Sequence, residues 1–202
     1  SRDNPLLLRL RKLVRTPAAY RKLGVVWLEG EHLCQALRLR GRPAAQALVA
    51  ETAWQRADVR ELAAWAARVA VVSDALFAGV SSLESPAGIG FVIDVPPPQP
   101  VKAAMATVVL DRLQDAGNVG SILRSASALG FGQVLALEGT AALWSPKVLR
   151  AGMGAHFGLR LVEGLALEDL SALGLPLLAT SSHGGDLLHR AAGAALAADA
   201  EG

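Results

Sequence analysis

The sequence predicts an α/β fold in two parts, and three observations carry that prediction. Residues 106–132, ATVVLDRLQDAGNVGSILRSASALGFG, pass from an apolar, β-branched segment through a glycine-bearing polar turn into a short helical pattern. Strand-like and helix-like segments alternate on both sides of that stretch, as in α/β layers. Between the two parts, Pro96-Pro97-Pro98-Gln99-Pro100 sets four prolines in five residues, which neither a helix nor a central strand accommodates. Such a run favours an extended spacer. The boundaries read as a first module over 1–95, a linker over 96–101 and a second module over 102–202.

In the first module, Leu6, Leu10, Leu13 and Val14 recur at helical spacing within Asn4–Tyr20, with Arg9, Arg11, Lys12 and Arg15 between them. Val25–Leu28 reads as a strand. In Glu29-Gly30-Glu31-His32, Gly30 suits a tight turn, and Glu29 and Glu31 lie near a helix start, where negative charge is favoured. The helix that follows carries Leu33, Ala36, Leu37 and Leu39. A strand at 47–50, a helix at 59–67, a strand at 70–72, a helical turn at 74–79 and a strand at 88–95 complete the module.

The second module opens with a strand at Ala106–Leu110. Its polar turn holds Asp111, Arg112, Gln114, Asp115, Gly117, Asn118 and Gly120. A helix over Val119–Leu129 stops at Gly130, with Asn118 as its expected cap. Next come a strand at Gln133–Leu137 and a helix over Trp144–Met153, entered through Ser145 as N-cap and Pro146 at the first helical position. A strand at Phe157–Val162, a helix at Glu168–Leu173 and a strand at Pro176–Thr180 follow. The stretch Asp186–Ala200 reads as a helix or a disordered tail.

The 202 residues are 52% hydrophobic, enough to build cores. No apolar run approaches the ~18 residues of a membrane span, and the start has no charged-then-apolar leader pattern. The single cysteine, Cys34, excludes an internal disulfide and a cysteine-based zinc site, and reads as a small buried residue. A cytoplasmic location is the expectation. Net charge is only +2 but unevenly spread: residues 1–42 hold ten Lys/Arg against three Asp/Glu, so +7, leaving −5 for the rest. A basic front suits a polyanion partner, or an ordinary solvated helix face.

A strand feeding a polar turn places its groups at the carboxyl edge of an α/β sheet, where ligands bind. Arg124 lies a helical turn from Gly120 and Ser121, opposite Ile122, Ala126 and Leu129. It suits either a surface ion pair with Asp115 or Asp111, or a ligand contact. Lys147 and Arg150 are three apart and share a helix face; with His156 they make a second positive cluster, which suits RNA phosphate or plain solvation. Thr180-Ser181-Ser182 ends the last strand with small polar residues. Gly117–Gly120 is too short for a dinucleotide fingerprint or a P-loop, and neither serine sits in a nucleophile elbow.

The pattern Asn118-x-Gly120-x-x-x-Arg124-x-Ala126, followed by Gly130-Phe131, resembles motif 1 of the SpoU (TrmH-like) RNA ribose 2′-O-methyltransferases of the SPOUT class. Residues 145–157, SPKVLRAGMGAHF, and the segment Pro176–Ser181 fit the same family. The resemblance implies an N-terminal L30e/L7Ae-like α/β domain for RNA substrate, with Trp27–His32 as its strand-to-helix signature. It implies a C-terminal SPOUT-type α/β knot domain for catalysis. It assigns catalysis to Arg124 and Asn118, S-adenosyl-L-methionine contacts to Thr180, Ser181 and Ser182, and places Glu29 in an RNA-facing signature; with it, the cations read from charge and spacing, Arg9, Arg11, Lys12, Lys147 and Arg150, become the expected RNA contacts. A homodimer acting on structured rRNA or tRNA is implied, with no metal. The family's motif 2, with its Asn-Glu-Gly run, and its motif 3 have no counterpart after Ala179, so the knot domain reads as lacking its final knot-forming segments.

The function expected is therefore methyl transfer to a ribose 2′-hydroxyl. The alternatives are a non-catalytic RNA-binding protein or inactive fragment that keeps the RNA module, and more remotely a small-nucleotide-binding α/β protein. Neutralising Arg9, Arg11 and Lys12 together is expected to weaken RNA binding and flatten its salt dependence in a filter-binding series; an unchanged slope would place the RNA elsewhere.

Overall fold

The computed structural model describes residues 4–180, which form two sheets with helices packed around them. The expected terminal element at Asp186–Ala200 lies outside the described residues.

The first sheet contains β1 (Val25–Glu29), β2 (Gln46–Ala50), β3 (Val69–Val72) and β4 (Ile89–Asp94) in the order β1-β4-β2-β3. β4 runs antiparallel to both β1 and β2, while β3 is parallel to β2. Its helices are α1 (Pro5–Arg15), α2 (Ala19–Leu23), α3 (Glu31–Leu39), α4 (Glu51–Trp54), α5 (Ala57–Ala63) and α6 (Asp74–Ala78). α1 starts where Asn4 accepts the Leu6 amide at 2.9 Å and Pro5 fills the first position. Leu7, Leu10 and Leu13 are its buried stripe; Leu6 and Val14 are only half-buried. The single helix expected to Tyr20 breaks after Arg15, because Pro17 cannot donate and pushes Thr16 into extended backbone, φ −124° and ψ 105°. On α3, Leu33, Cys34 and Leu37 are buried, Cys34 as expected, while Leu39 is exposed.

β1 is buried on both faces, and Trp27 fills the space under β4. A Cβ at Gly90 would lie 2.2 Å from the Trp27 ring, so only glycine lets the indole cross beneath that strand. Trp27 also meets Phe77 at 6.2 Å between ring centroids.

The second sheet holds β5 (Thr107–Leu110), β6 (Gln133–Leu137) and β7 (Arg160–Leu165), all parallel and in chain order. α7 (Ala116–Ala128) and α8 (Pro146–Gly152) belong to its crossovers. α7 begins three residues before the expected start at Val119, because Asp115 rather than Asn118 is its N-cap, accepting the Asn118 amide at 2.7 Å. The strand expected from Phe157 begins only at Arg160: after Met153 and Gly154 adopt left-handed backbone, Ala155–Phe157 turn as a 3-10 helix that buries Phe157. Leu167–Leu173 is likewise a 3-10 helix, stopped by Gly174 at φ +61°. Pro176–Thr180, expected as a strand, has no regular structure, and Leu177 and Leu178 are exposed. A strand persists only as a member of a ladder, and these residues pair with no backbone among the described residues.

Residues 95–100 have no regular structure, but both ends are fixed. Val95 donates to Gly24 O at 3.0 Å. Arg160 holds Pro100 O at 3.0 Å, and the buried Gln133 amide accepts the Lys102 N–H at 2.9 Å. One hydrophobic cluster runs from Leu7 to Leu159 through both parts, and a smaller one (Leu135, Leu137, Val162, Leu170, Leu173) lies on the second sheet. Replacing Gly90 by Ala is expected to destabilise the protein by about 1–3 kcal/mol through overpacking against Trp27, as read by chemical denaturation.

Candidate functional site

The site is built where β5 hands the chain to α7. Asp111 and Arg112 pair with each other at 2.8 Å in the turn, and the guanidinium holds the Asp111 carboxyl below its usual range. Asp115 is committed to the α7 cap. Neither carboxylate therefore takes the ion pair that sequence reasoning allowed for Arg124. Arg124 is exposed and makes no hydrogen bond or ion pair among the described residues. Asn118 is exposed in the first turn of α7. Asn118, Ser121 and Arg124 follow one another at steps of three, so they form one polar row on the outer face of the helix. The inner face is Val119, Leu123 and Ala126. Leu129, expected in the core, is exposed beyond the last helical turn, and Leu123 does the packing.

What fixes this row is the contact between α7 and α8. A Cβ at Gly120 would lie 2.4 Å from Ala151 Cβ and 2.8 Å from the Gly152 nitrogen, so the two helix backbones meet at glycine. Behind them, His156 is fully buried, its ring 5.2 Å from that of Trp144 between centroids. Its Nε2 donates to Leu143 O at 2.8 Å, while Nδ1 has no partner. Burial pushes the imidazole down to about 4. His156 is thus neutral and interior, not part of a positive cluster with Lys147 and Arg150.

α8 carries that cluster's two real members. Ser145 caps the helix and Pro146 occupies its first position. Lys147 is exposed; Arg150 is half-buried and its Nη1 donates to Ser82 Oγ in the first part of the chain. Ser82 in turn donates from both N and Oγ to Glu29 Oε2 at 3.0 Å, and Ser81 donates to Glu29 Oε1. Glu29 is therefore not an RNA-facing group. It is 5% exposed, and its carboxylate is consumed inside the protein. Arg9, Arg11 and Lys12 lie on α1, with Arg9 donating to Leu23 O at 3.1 Å and Lys12 exposed. Thr180 is exposed and without regular structure; Ser181 and Ser182 lie outside the described residues.

A second junction went unforeseen. Glu163, on β7, accepts from Tyr20 OH at 2.7 Å, Arg21 at 3.0 Å and the Leu143 amide at 2.8 Å. Burial and the facing carboxylate push the Tyr20 phenol well up. The signal in the sequence was a lone acid in an apolar strand, RLVEGL. Between this junction and Ser82, a cleft of about 520 Å³ opens onto the start of α7 and one face of α8, with Lys147 and Arg150 in its lining.

Comparison with known proteins agrees with this architecture. Residues 105–196 match the SpoU rRNA Methylase family. Over 193 residues the chain is 31% identical to an uncharacterized tRNA/rRNA methyltransferase of Synechocystis, covering 89% of this chain and 68% of that protein. The chain belongs to the SpoU rRNA methylase family. The solved SpoU methyltransferase AviRb of Streptomyces viridochromogenes, in complex with AdoMet, shares the fold at a TM-score of 0.74 and 22% identity, over 83% of this chain and 66% of that one. The human mitochondrial rRNA methyltransferase 3 is 49% identical over 63 residues, 31% of this chain. The match spans only 14–23% of the length of such mitochondrial relatives. In SpoU terms, the motif-1 residues Asn118, Gly120 and Arg124 all fall on α7. Gly120 sets the helix against α8, while Asn118 and Arg124 face outward.

The depressed imidazole makes stability depend on acid. The unfolded chain binds a proton near pH 6.5 and the folded chain only near 4, so stability is full above about 6.5 and declines as pH falls towards 4. The loss is expected to be on the order of 3 kcal/mol in urea titrations. In His156→Gln this window should vanish.

Proposed function

We propose that this chain transfers a methyl group from S-adenosyl-L-methionine to a ribose 2′-hydroxyl of structured RNA, rRNA or tRNA. The observation that carries the reading is Arg124: a guanidinium on the motif-1 helix, exposed and unpartnered among the described residues, beside Asn118 and Ser121. A guanidinium stays protonated and donates in a planar fork. Arg124 therefore holds and orients the ribose hydroxyl or its neighbouring phosphate, and Asn118 supplies an amide donor and acceptor beside it. Placing the hydroxyl in line with the methyl group is the larger part of what such a site has to do.

Kinship, not a pocket, supports the methyl donor. Thr180 is exposed and without regular structure, and it does not line the cleft beside α8. The reading extends to an L30e/L7Ae-like RNA module over residues 1–95, a linker over 96–101 and a SPOUT-type catalytic module from 102, acting as a cytoplasmic homodimer. The basic face of α1 and the mixed four-stranded sheet support the first assignment; the parallel sheet and α7 support the last.

Titration of the folded chain with AdoMet in a calorimeter tests the donor. Saturable binding is expected of the methyltransferase; a folded sample that takes up no heat favours an RNA-binding protein without transfer. Arg124→Ala is expected to lower methyl incorporation into rRNA by about a hundredfold or more, with the thermal midpoint unchanged because the side chain has no described partner. Wild-type turnover in that variant would remove Arg124 from the site.

A further inference from the structure

Resting on the RNA reading above, we infer that Lys147 and Arg150 form a backbone-phosphate site inside the cleft, and that the first part of the chain aims Arg150 at it through Ser82. The two cations are three residues apart, so they point from one face of α8 into the same space. Lys147 has no partner among the described residues, and Arg150 spends only one Nη1 on Ser82. Arg150 lines the cleft with donors of its fork still unspent. At about 520 Å³ the cleft falls in the range that takes a nucleotide-sized ligand. The acid in its lining, Asp115, is already committed to the α7 cap. The Gln114 amide beside it offers a donor and an acceptor to a base or a sugar.

The route to Arg150 distinguishes this from an ordinary basic helix face. Glu29 is interior and anchors Ser81 and Ser82; Ser82 then fixes the guanidinium. Ser82 is thus a positioning residue: it holds no phosphate charge itself but removes rotamer freedom from the side chain that does. The cleft also opens onto the first residues of α7, one turn from Asn118. A phosphate held there puts its strand beside the motif-1 row.

The test is filter binding of the intact chain to a folded 23S rRNA transcript over a series of salt concentrations. Lys147→Ala and Arg150→Ala are each expected to weaken binding and to lower the slope of log affinity against log salt by about one. Ser82→Ala, which keeps the backbone N–H on Glu29 but drops the hydroxyl that holds both Glu29 and Arg150, is expected to weaken binding about two- to tenfold with the slope kept, since the charge remains. Lys147 is exposed and unpaired, so its variant keeps the fold. If the slope is unchanged in Lys147→Ala and Arg150→Ala while wild type binds steeply, the cleft is not the phosphate site and the RNA reading stands on other surfaces. If wild type binds neither this transcript nor a folded tRNA, the RNA reading fails and this site with it.

Discussion

Two helix backbones touch at Gly120, and most of what matters in the second module follows from that contact. Without a side chain at 120, α7 settles directly on Ala151 and Gly152 of α8. That approach fixes the rotation of α7 about its own axis. The rotation decides that Val119, Leu123 and Ala126 go inward and that Asn118, Ser121 and Arg124 go outward. It also holds α8 so that Lys147 and Arg150 look into the cleft. His156 supports the arrangement from behind, its ring against the Gly152 Cα and its Nε2–H tied to Leu143. A buried neutral imidazole is an acceptable solution here because one hydrogen bond and a tilted aromatic neighbour offset part of its desolvation.

Two carboxylates, the buried Glu29 and the half-buried Glu163, perform the complementary task of joining the parts of the chain. Glu163 gathers Tyr20, Arg21 and the Leu143 amide; Glu29 gathers Ser81 and Ser82 and, through Ser82, Arg150. Each acid is satisfied by several donors, which is what makes its burial tolerable, and removing one partner would strand the others. The acids do not hold the parts together unaided. The same hydrophobic cluster extends from Leu7 on α1 to Leu159 before β7, so apolar burial supplies the bulk attraction and the carboxylates set the register.

Local patterning made much of this readable. The α/β alternation, the strand at Gln133–Leu137, the Ser145-Pro146 helix start and the buried Cys34 follow from periodicity, capping chemistry and composition, and the structure has them. The errors lie where tertiary context outweighs local signals. Asn118 and Asp115 are both good caps, and only the geometry of the β5–α7 turn selects the aspartate. Glu29 reads as a surface turn acid until Ser81 and Ser82, more than fifty residues away, are folded onto it. Phe157 has strand character by type, but the left-handed residues before it turn it into the core. Pro176–Thr180 looks like a strand by composition, yet a strand is a relation between segments and not a property of one. The place of Arg124 on the helix after the polar turn was legible in the spacing; that it stands clear of Asp111 and Asp115 was not.

The proline-rich run between the sheets takes on a different meaning once its ends are seen to be tied. Val95 is bonded to Gly24 on one side, and Pro100 and Lys102 are bonded to Arg160 and Gln133 on the other. A segment with stiff dihedrals and anchored ends behaves as a strut. The two sheets then keep a constant offset, and whatever grips the front of the chain is presented to α7 at a preset distance. The run thus sets the span between the basic face of α1 and the polar row of α7.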